Sequence, residues 1–205
     1  MDLKSLNPFI YLKQGYDSLR EYERIAGFWQ IARRALANNA FDGVLTMVGV
    51  VMGQWVGGVK KANTVILTGI ATSISIGVSG LWGAYLAESA ERGRELDELE
   101  RISLTDLGET KIGKASRAAV VVVSLVDGIS PLVSSIIVLT PFFFASLIGD
   151  ILTSYIAAMV LALLCLFVLG IYLGHICRRS LVGYGLRTMI AGIVAIAITW
   201  LLPSA

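Results

Sequence analysis

The sequence predicts an all-α, polytopic membrane protein with five transmembrane helices. Of its 205 residues, 56% are hydrophobic and only 16% are charged, whereas a soluble domain is about 45–50% apolar and about 25% charged. The charges leave five apolar stretches, and roughly 20 residues suffice for a helix to cross the bilayer. A net charge of +2 without a basic block argues against nucleic-acid binding, and two cysteines exclude a disulfide scaffold.

Residues 1–34 are predicted to form a cytoplasmic amphipathic helix. Asn7 and Pro8 are typical of a helix start, with asparagine as the cap and proline at the first helical position. Apolar side chains then recur at helical spacing at Phe9, Leu12, Tyr16 and Leu19. Two interpretations remain open, because such a helix can lie on the membrane surface or pack on the cytoplasmic ends of the protein's own helices.

Residues 35–205 are predicted to form the five-helix transmembrane domain. The spans are bracketed by Arg34 and Lys60, Lys61 and Glu88, Arg117 and Asp150, Asp150 and Arg178, and Arg187 and the chain end. A short cytoplasmic helical loop, 88–115, follows the second span, and its first part should extend that helix. Fifteen of the seventeen Lys and Arg residues fall in segments on one side. This distribution predicts a cytoplasmic N-terminus and a C-terminus outside.

The first four spans contain a weak internal similarity. Asp42-Gly43 matches Asp127-Gly128, and "GAYL" at 83–86 matches "GIYL" at 170–173 at nearly the same offset. This pattern predicts a two-helix internal repeat, an arrangement that is common in transporters. Chance resemblance between apolar segments is the alternative.

Asp42 and Asp127 are the main candidate functional residues. A carboxylate within a span is costly to insert and normally faces a polar interior, where it can bind a cation or relay a proton. In the alternative interpretation, both side chains extend to the cytoplasmic interface or cap neighbouring helices. Pro131 follows Asp127 by one turn and has no N–H, so it can leave a carbonyl near Asp127 free.

A row of hydroxyl side chains follows one face of the second span. Its members are Thr68, Thr72, Ser75 and Ser79. These residues can line a pathway, but small residues also commonly hold membrane helices together, and the packing interpretation is favoured.

A row of carboxylates follows on the cytoplasmic extension of the same helix. Its members are Glu88, Glu91, Glu95 and Glu98. They share one helix face and can gather cations at a channel mouth. The alternative is a solvated face whose charge is offset by Arg92, Arg94 and Arg101.

No catalytic signature is present in the sequence, which predicts that the protein is not an enzyme. There is no Ser-His-Asp set, phosphate-binding loop or paired-cysteine motif. His175 and Cys177 are too sparse for a metal motif, and Cys165 is typical of a small apolar residue in a buried helix. No permanently bound cofactor is predicted.

Three segments resemble the vacuolar iron transporter family. "AFDGVLTMVGVVMG" at 40–53 is similar to the Asp-Gly signature of that family's first helix. "GIATSISIGVSGLWGAYLAESAE" at 69–91 aligns without gaps with the family's second helix, and "GISPLV" at 128–133 resembles its Gly-x-x-Pro-Leu. The resemblance covers most of residues 30–202.

The resemblance implies a five-helix bundle, usually a homodimer with the ion path between the first helices. It also implies export of ferrous iron or related divalent metals from the cytosol in exchange for protons. Asp42 is the ligand that carries over. Thr72 and Gly80 stand where the family has a pathway Glu and Met, and the large cytoplasmic metal-binding domain is reduced to 88–114. Asp127 and Met47 are the candidate substitutes for the missing ligands.

Three hypotheses follow from the sequence. The leading one is a divergent, prokaryotic member of the family that moves a divalent cation through Asp42. The second keeps the fold but changes the cargo to protons, another ion or a small organic molecule, because Thr72 and Gly80 replace ligands. The third is a structural or partner-binding membrane protein without transport.

Overall fold

The computed structural model describes residues 8–201, which form seven helices and no strand. The helices are α1 (Pro8–Ala26), α2 (Phe28–Val56), α3 (Ala62–Ser103), α4 (Lys111–Phe143), α5 (Ala145–Ile148), α6 (Ile151–Ile176) and α7 (Leu181–Trp200). Five are long and apolar enough to cross a membrane: α2, α3, α4 with its continuation α5, α6 and α7. The predicted all-α, five-span architecture is therefore confirmed. The two-helix repeat stays a prediction.

The break between the amphipathic helix and the first spanning helix lies at Gly27, seven residues before the predicted boundary at 34. Gly27 has a φ of 60°, a left-handed conformation that glycine adopts without steric cost. The Glu23 side chain accepts a hydrogen bond of 2.9 Å from the Trp29 backbone N–H and so satisfies a free donor at the start of α2. Helix α1 begins at Pro8, as predicted, whereas Asn7 lies outside the described residues.

The C-terminal half of α1 packs against the protein's own helices. Tyr22 and Ala26 contact a small apolar cluster that is formed by Phe28, Ala119 and Val123. An ion pair joins Glu21 to Lys111 at the start of α4. These contacts favour the second of the two interpretations for this half of the helix.

Helix α3 is continuous over 42 residues, a length of about 63 Å at 1.5 Å per residue. It therefore crosses the membrane and continues well beyond it, as predicted for the segment after Glu88. Helices α4 and α7 begin earlier than the charge-based boundaries at Arg117 and Arg187, at Lys111 and Leu181. An arginine near a helix end can extend its head group to the interface, so it need not terminate a span.

Helices α2, α4 and α6 form the main apolar core. Its fully buried members include Val48 and Met52 of α2, Leu139 of α4 and Leu166 of α6. At one end, Tyr155 of α6 stacks on Trp55 with ring centroids 5.6 Å apart, and its hydroxyl donates to the Val59 carbonyl at 2.9 Å. The aromatic cluster ties the end of α2 to the beginning of α6.

Glycines bring α4 against both α2 and α3. A Cβ at Gly43 of α2 would lie 2.4 Å from the Pro131 carbonyl oxygen, and one at Gly128 of α4 would lie 2.7 Å from the Gly77 carbonyl oxygen of α3. A buried hydrogen bond of 2.8 Å also joins the Ser135 and Ser73 hydroxyls across the α3–α4 contact. Such small residues let membrane helices approach closely. Here they fix the relative positions of the three helices that carry the candidate site.

Candidate functional site

Asp42 faces an open groove between α2, α3 and α4. It is the middle residue of α2, and its side chain is exposed. The groove has a volume of about 360 Å³ and is also lined by Asn39, Ser75, Ser79 and Pro131. A carboxylate, an amide and two hydroxyls therefore share one concave surface within the spanning part of the bundle. Oxygen donors of this kind suit a hard divalent cation or a proton relay.

The hydroxyl row of α3 divides into two parts. Ser75 and Ser79 line the Asp42 groove, whereas the Thr68 and Thr72 hydroxyls donate at 2.8 Å to carbonyls one turn earlier in their own helix. Thr72 is not among the residues that line the groove and precedes Ser75 by about one turn. Ser75 and Ser79 are therefore available to a ligand, whereas the Thr68 and Thr72 hydroxyls form hydrogen bonds within α3.

Asp127 points to a different set of neighbours. Its Oδ1 accepts a hydrogen bond of 2.7 Å from the Asn39 amide. Asp127 does not line the Asp42 groove. Asn39 therefore connects the two aspartates, because it lines the same groove as Asp42 and donates a hydrogen bond to Asp127.

Three of the four carboxylates in the row on the α3 extension are paired with arginines of the same helix. Arg92 contacts Glu88 at 3.5 Å and Glu95 at 3.3 Å, and Arg94 contacts Glu91 at 3.3 Å. The Arg92 side chain is only 13% exposed, so its interactions with Glu88 and Glu95 are better shielded than those of a fully exposed pair. These pairs favour the interpretation of a charge-balanced helix face.

Met47 lies in the apolar core and is fully buried. It therefore faces away from the groove into which Asp42 opens. Gly80 lines the groove, but it is also pressed against α4, since a Cβ there would lie 2.8 Å from the Asp127 carbonyl oxygen. A methionine at position 80 would therefore force α3 and α4 apart.

Sequence reasoning left two oxygen donors of this region unassigned. Asn39 was not among the predicted site residues, and its hydrogen bond to Asp127 joins residues 88 positions apart in the chain. Pro131 was expected to free a carbonyl near Asp127, and the Asp127 carbonyl lies against Gly80, which lines the groove. The proline was the available signal, but only helix packing could show where the carbonyl points.

A three-residue metal site is not formed within the described chain. Among residues 8–201, no group of three His, Cys, Asp or Glu side chains could hold a metal ion. Asp42 is thus the single carboxylate of its groove. A cation bound there would need further oxygens from hydroxyls, amides, carbonyls, water or a second copy of the chain.

The fold and this groove define a class: α-helical, multi-pass membrane proteins with an aspartate exposed between spanning helices. The uncharacterized protein MJ0645 of Methanocaldococcus jannaschii is 32% identical to this chain over 168 residues, which are 80% of this chain and 84% of the relative. The chain belongs to the family of that archaeal protein. No family model matches the chain, and no solved structure matches it.

Proposed function

We propose that this protein is a membrane transporter of a divalent metal cation of the iron or manganese class. It exports the ion from the cytosol, coupled to protons, as a divergent relative of the vacuolar iron transporters. The observation that carries the proposal is the position of Asp42, at the middle of a spanning helix and open to a groove with Ser75 and Ser79. A carboxylate is retained within a span only where a function or a partner compensates its insertion cost.

The exposed face of α2 supports a homodimer. Asn38, Asp42 and Thr46 are one turn apart and all exposed, and the groove that Asp42 lines is open, so in a single chain this polar surface would be open to lipid at considerable cost. A second copy placed against this face would shield them and bring two Asp42 carboxylates to one path. The ligand set that one chain lacks would then be completed across the interface.

In a second candidate function, the protein has the same fold but transports a non-metal cargo. Asp42 is the one carboxylate of the described chain that lines its groove, which favours this candidate, as does the burial of Met47. A single carboxylate with hydroxyl neighbours suffices for a proton or a small organic cation. A structural or partner-binding role without transport is the third candidate, which the extensive small-residue packing would suit.

We place the protein in a prokaryotic cell membrane, with its N-terminus in the cytoplasm and its C-terminus outside. The archaeal relative supports a prokaryotic source. The excess of Lys and Arg on one side supports the proposed orientation of the two termini. The lipid bilayer is the environment that the apolar helices require.

Flux into proteoliposomes loaded with a metal-sensitive dye tests the proposed function. We expect ferrous iron or manganese to enter faster than into protein-free vesicles, and the rate to depend on an imposed pH gradient. Cobalt and zinc are measured beside them to define selectivity. No flux of any of the four metals from well-folded protein would contradict metal transport and direct attention to proton or organic-cation flux in the same vesicles.

A pair of substitutions at Asp127 tests whether it acts by positioning Asn39. Asp127→Ala removes the charged acceptor of the Asn39 amide, and we expect transport to fall by about tenfold, the effect of losing one such hydrogen bond. Asp127→Asn keeps an acceptor oxygen in place and should retain most of the transport. Equal loss of flux in both variants would instead assign the role to the Asp127 charge.

A further inference from the structure

The connection between α6 and α7 carries arginines without acidic partners. Arg178 and Arg179 lie in the four-residue connection, and Arg187 lies in the second turn of α7. No Asp or Glu follows Asp150 in the whole sequence. Among the described residues, none of the three arginines forms an ion pair. Their positive charge is therefore not compensated by an ion pair within residues 8–201.

Two of these arginines line one groove. Arg179 and Arg187 share a concavity of about 430 Å³ with Ser180 and Tyr184. The Arg187 guanidinium lies 5.6 Å from the centre of the Tyr184 ring, a cation–π contact that holds the side chain along the helix. Two guanidinium groups on one concave surface repel each other unless an anion lies between them, and their planar donors suit phosphate oxygens.

The backbone fixes Arg179 relative to α7. Arg178 adopts a left-handed φ of 51°, and the Arg179 N–H donates to the Gly174 carbonyl at 3.0 Å. This pattern closes the end of α6. Ser180 then caps α7 by accepting from the Gly183 N–H at 3.2 Å. Because both helix ends are closed in this way, the positions of the groove's two cationic residues are set by the fold.

The groove lies at the membrane interface. It is at the end of two spanning helices, and the neighbouring Leu181, Val182 and Leu186 are exposed apolar residues. A soluble anion would gain nothing from these apolar neighbours, whereas an acyl chain would. A phosphate group attached to a hydrocarbon chain fits both the arginine-lined groove and its apolar neighbours.

We propose that this groove binds the headgroup phosphate of an anionic phospholipid. Arg179 and Arg187 donate to the phosphate oxygens, and Leu181, Val182 and Leu186 contact the acyl chains. Basic pockets beside spanning helices recognise anionic headgroups by this combination. The site is separate from the Asp42 groove, and its test does not depend on transport.

Lipid retention by the full-length protein tests this proposal. The purified protein is exposed to equimolar phosphatidylglycerol and phosphatidylcholine, and bound lipid is measured by native mass spectrometry. We expect preferential retention of phosphatidylglycerol and an affinity about thirtyfold weaker in the R179Q/R187Q double variant. The R33Q/R34Q variant removes the same charge from another exposed arginine pair and should lose less than about threefold.

Three results would overturn the proposal. They are unchanged phosphatidylglycerol affinity in R179Q/R187Q, an equal loss in R33Q/R34Q, and displacement of the lipid by excess inorganic phosphate at constant ionic strength, which would indicate a site for free phosphate. If R179Q/R187Q does not fold, R179K/R187K keeps both charges but loses the planar donors. That variant should bind phosphatidylglycerol several-fold more weakly than the wild type, and full wild-type affinity would contradict recognition by the guanidinium groups.

Discussion

Replacing Asp42 with asparagine is expected to reduce metal flux by at least about a hundredfold. Removing an outer-shell partner of a metal ligand already costs 10–100-fold, and a ligand itself should cost more. The side chain keeps its size and its exposure to the groove, so the helices around it should pack as before. Initial rates in proteoliposomes, measured with the metal that the wild type transports, give the comparison.

A matched substitution separates the loss of this carboxylate from a general change of charge. Asp97→Asn removes one negative charge from the exposed extension of α3 and should leave the flux within about twofold of the wild type, as expected for an exposed surface change. Gel filtration of both variants checks that the oligomeric state is unchanged. If Asp42→Asn transports the metal at the wild-type rate, the proposed mechanism is wrong, whatever the Asp97→Asn control shows.

Gly43→Ala is expected to destabilise the protein by about 3 kcal/mol, the upper end of the range for overpacking. The added Cβ would lie 2.4 Å from the Pro131 carbonyl oxygen and 2.6 Å from its Cα. Both are backbone atoms of α4, so no side-chain rotation can make room and α2 and α4 must separate. Thermal unfolding in detergent, followed by tryptophan fluorescence, should show a midpoint roughly 5 to 10 °C lower.

Gly93→Ala is the control for this prediction. Gly93 is also helical, but a Cβ there would meet nothing within 4 Å. The substitution should be neutral or stabilising by up to about 1 kcal/mol, the intrinsic helix preference of alanine over glycine. An unchanged unfolding midpoint in Gly43→Ala would show that α2 and α4 are not held in the close contact described above.

The membrane architecture could be predicted from the sequence because hydropathy and helical period are local properties. The five helices long and apolar enough to span a membrane and the long extension of α3 are confirmed, whereas the cytoplasmic location of that extension stays a prediction. The helix boundaries at Arg34, Arg117 and Arg187 were less well predicted, because the flexible side chain of an arginine lets its charge lie away from its backbone. Gly27 ended α1 instead, since it can adopt the left-handed conformation.

The candidate site depends on which way each helix faces, and hydropathy says little about this. Asp42 and Asp127 looked equivalent in the sequence, yet one is exposed to a groove and the other bonds Asn39. Met47 is close to Asp42 in sequence but is buried in the core, since five residues on a helix turn the side chain to another side.

Composition alone identifies a helical membrane protein with two aspartates inside its spans. Helix packing was needed to show which aspartate is open to a groove, and that Arg179 and Arg187 line one concave surface. Composition and periodicity specify a helix and its insertion, because they are properties of the local sequence. The rotation of a helix and its contacts are set by side chains that meet across large separations in the chain.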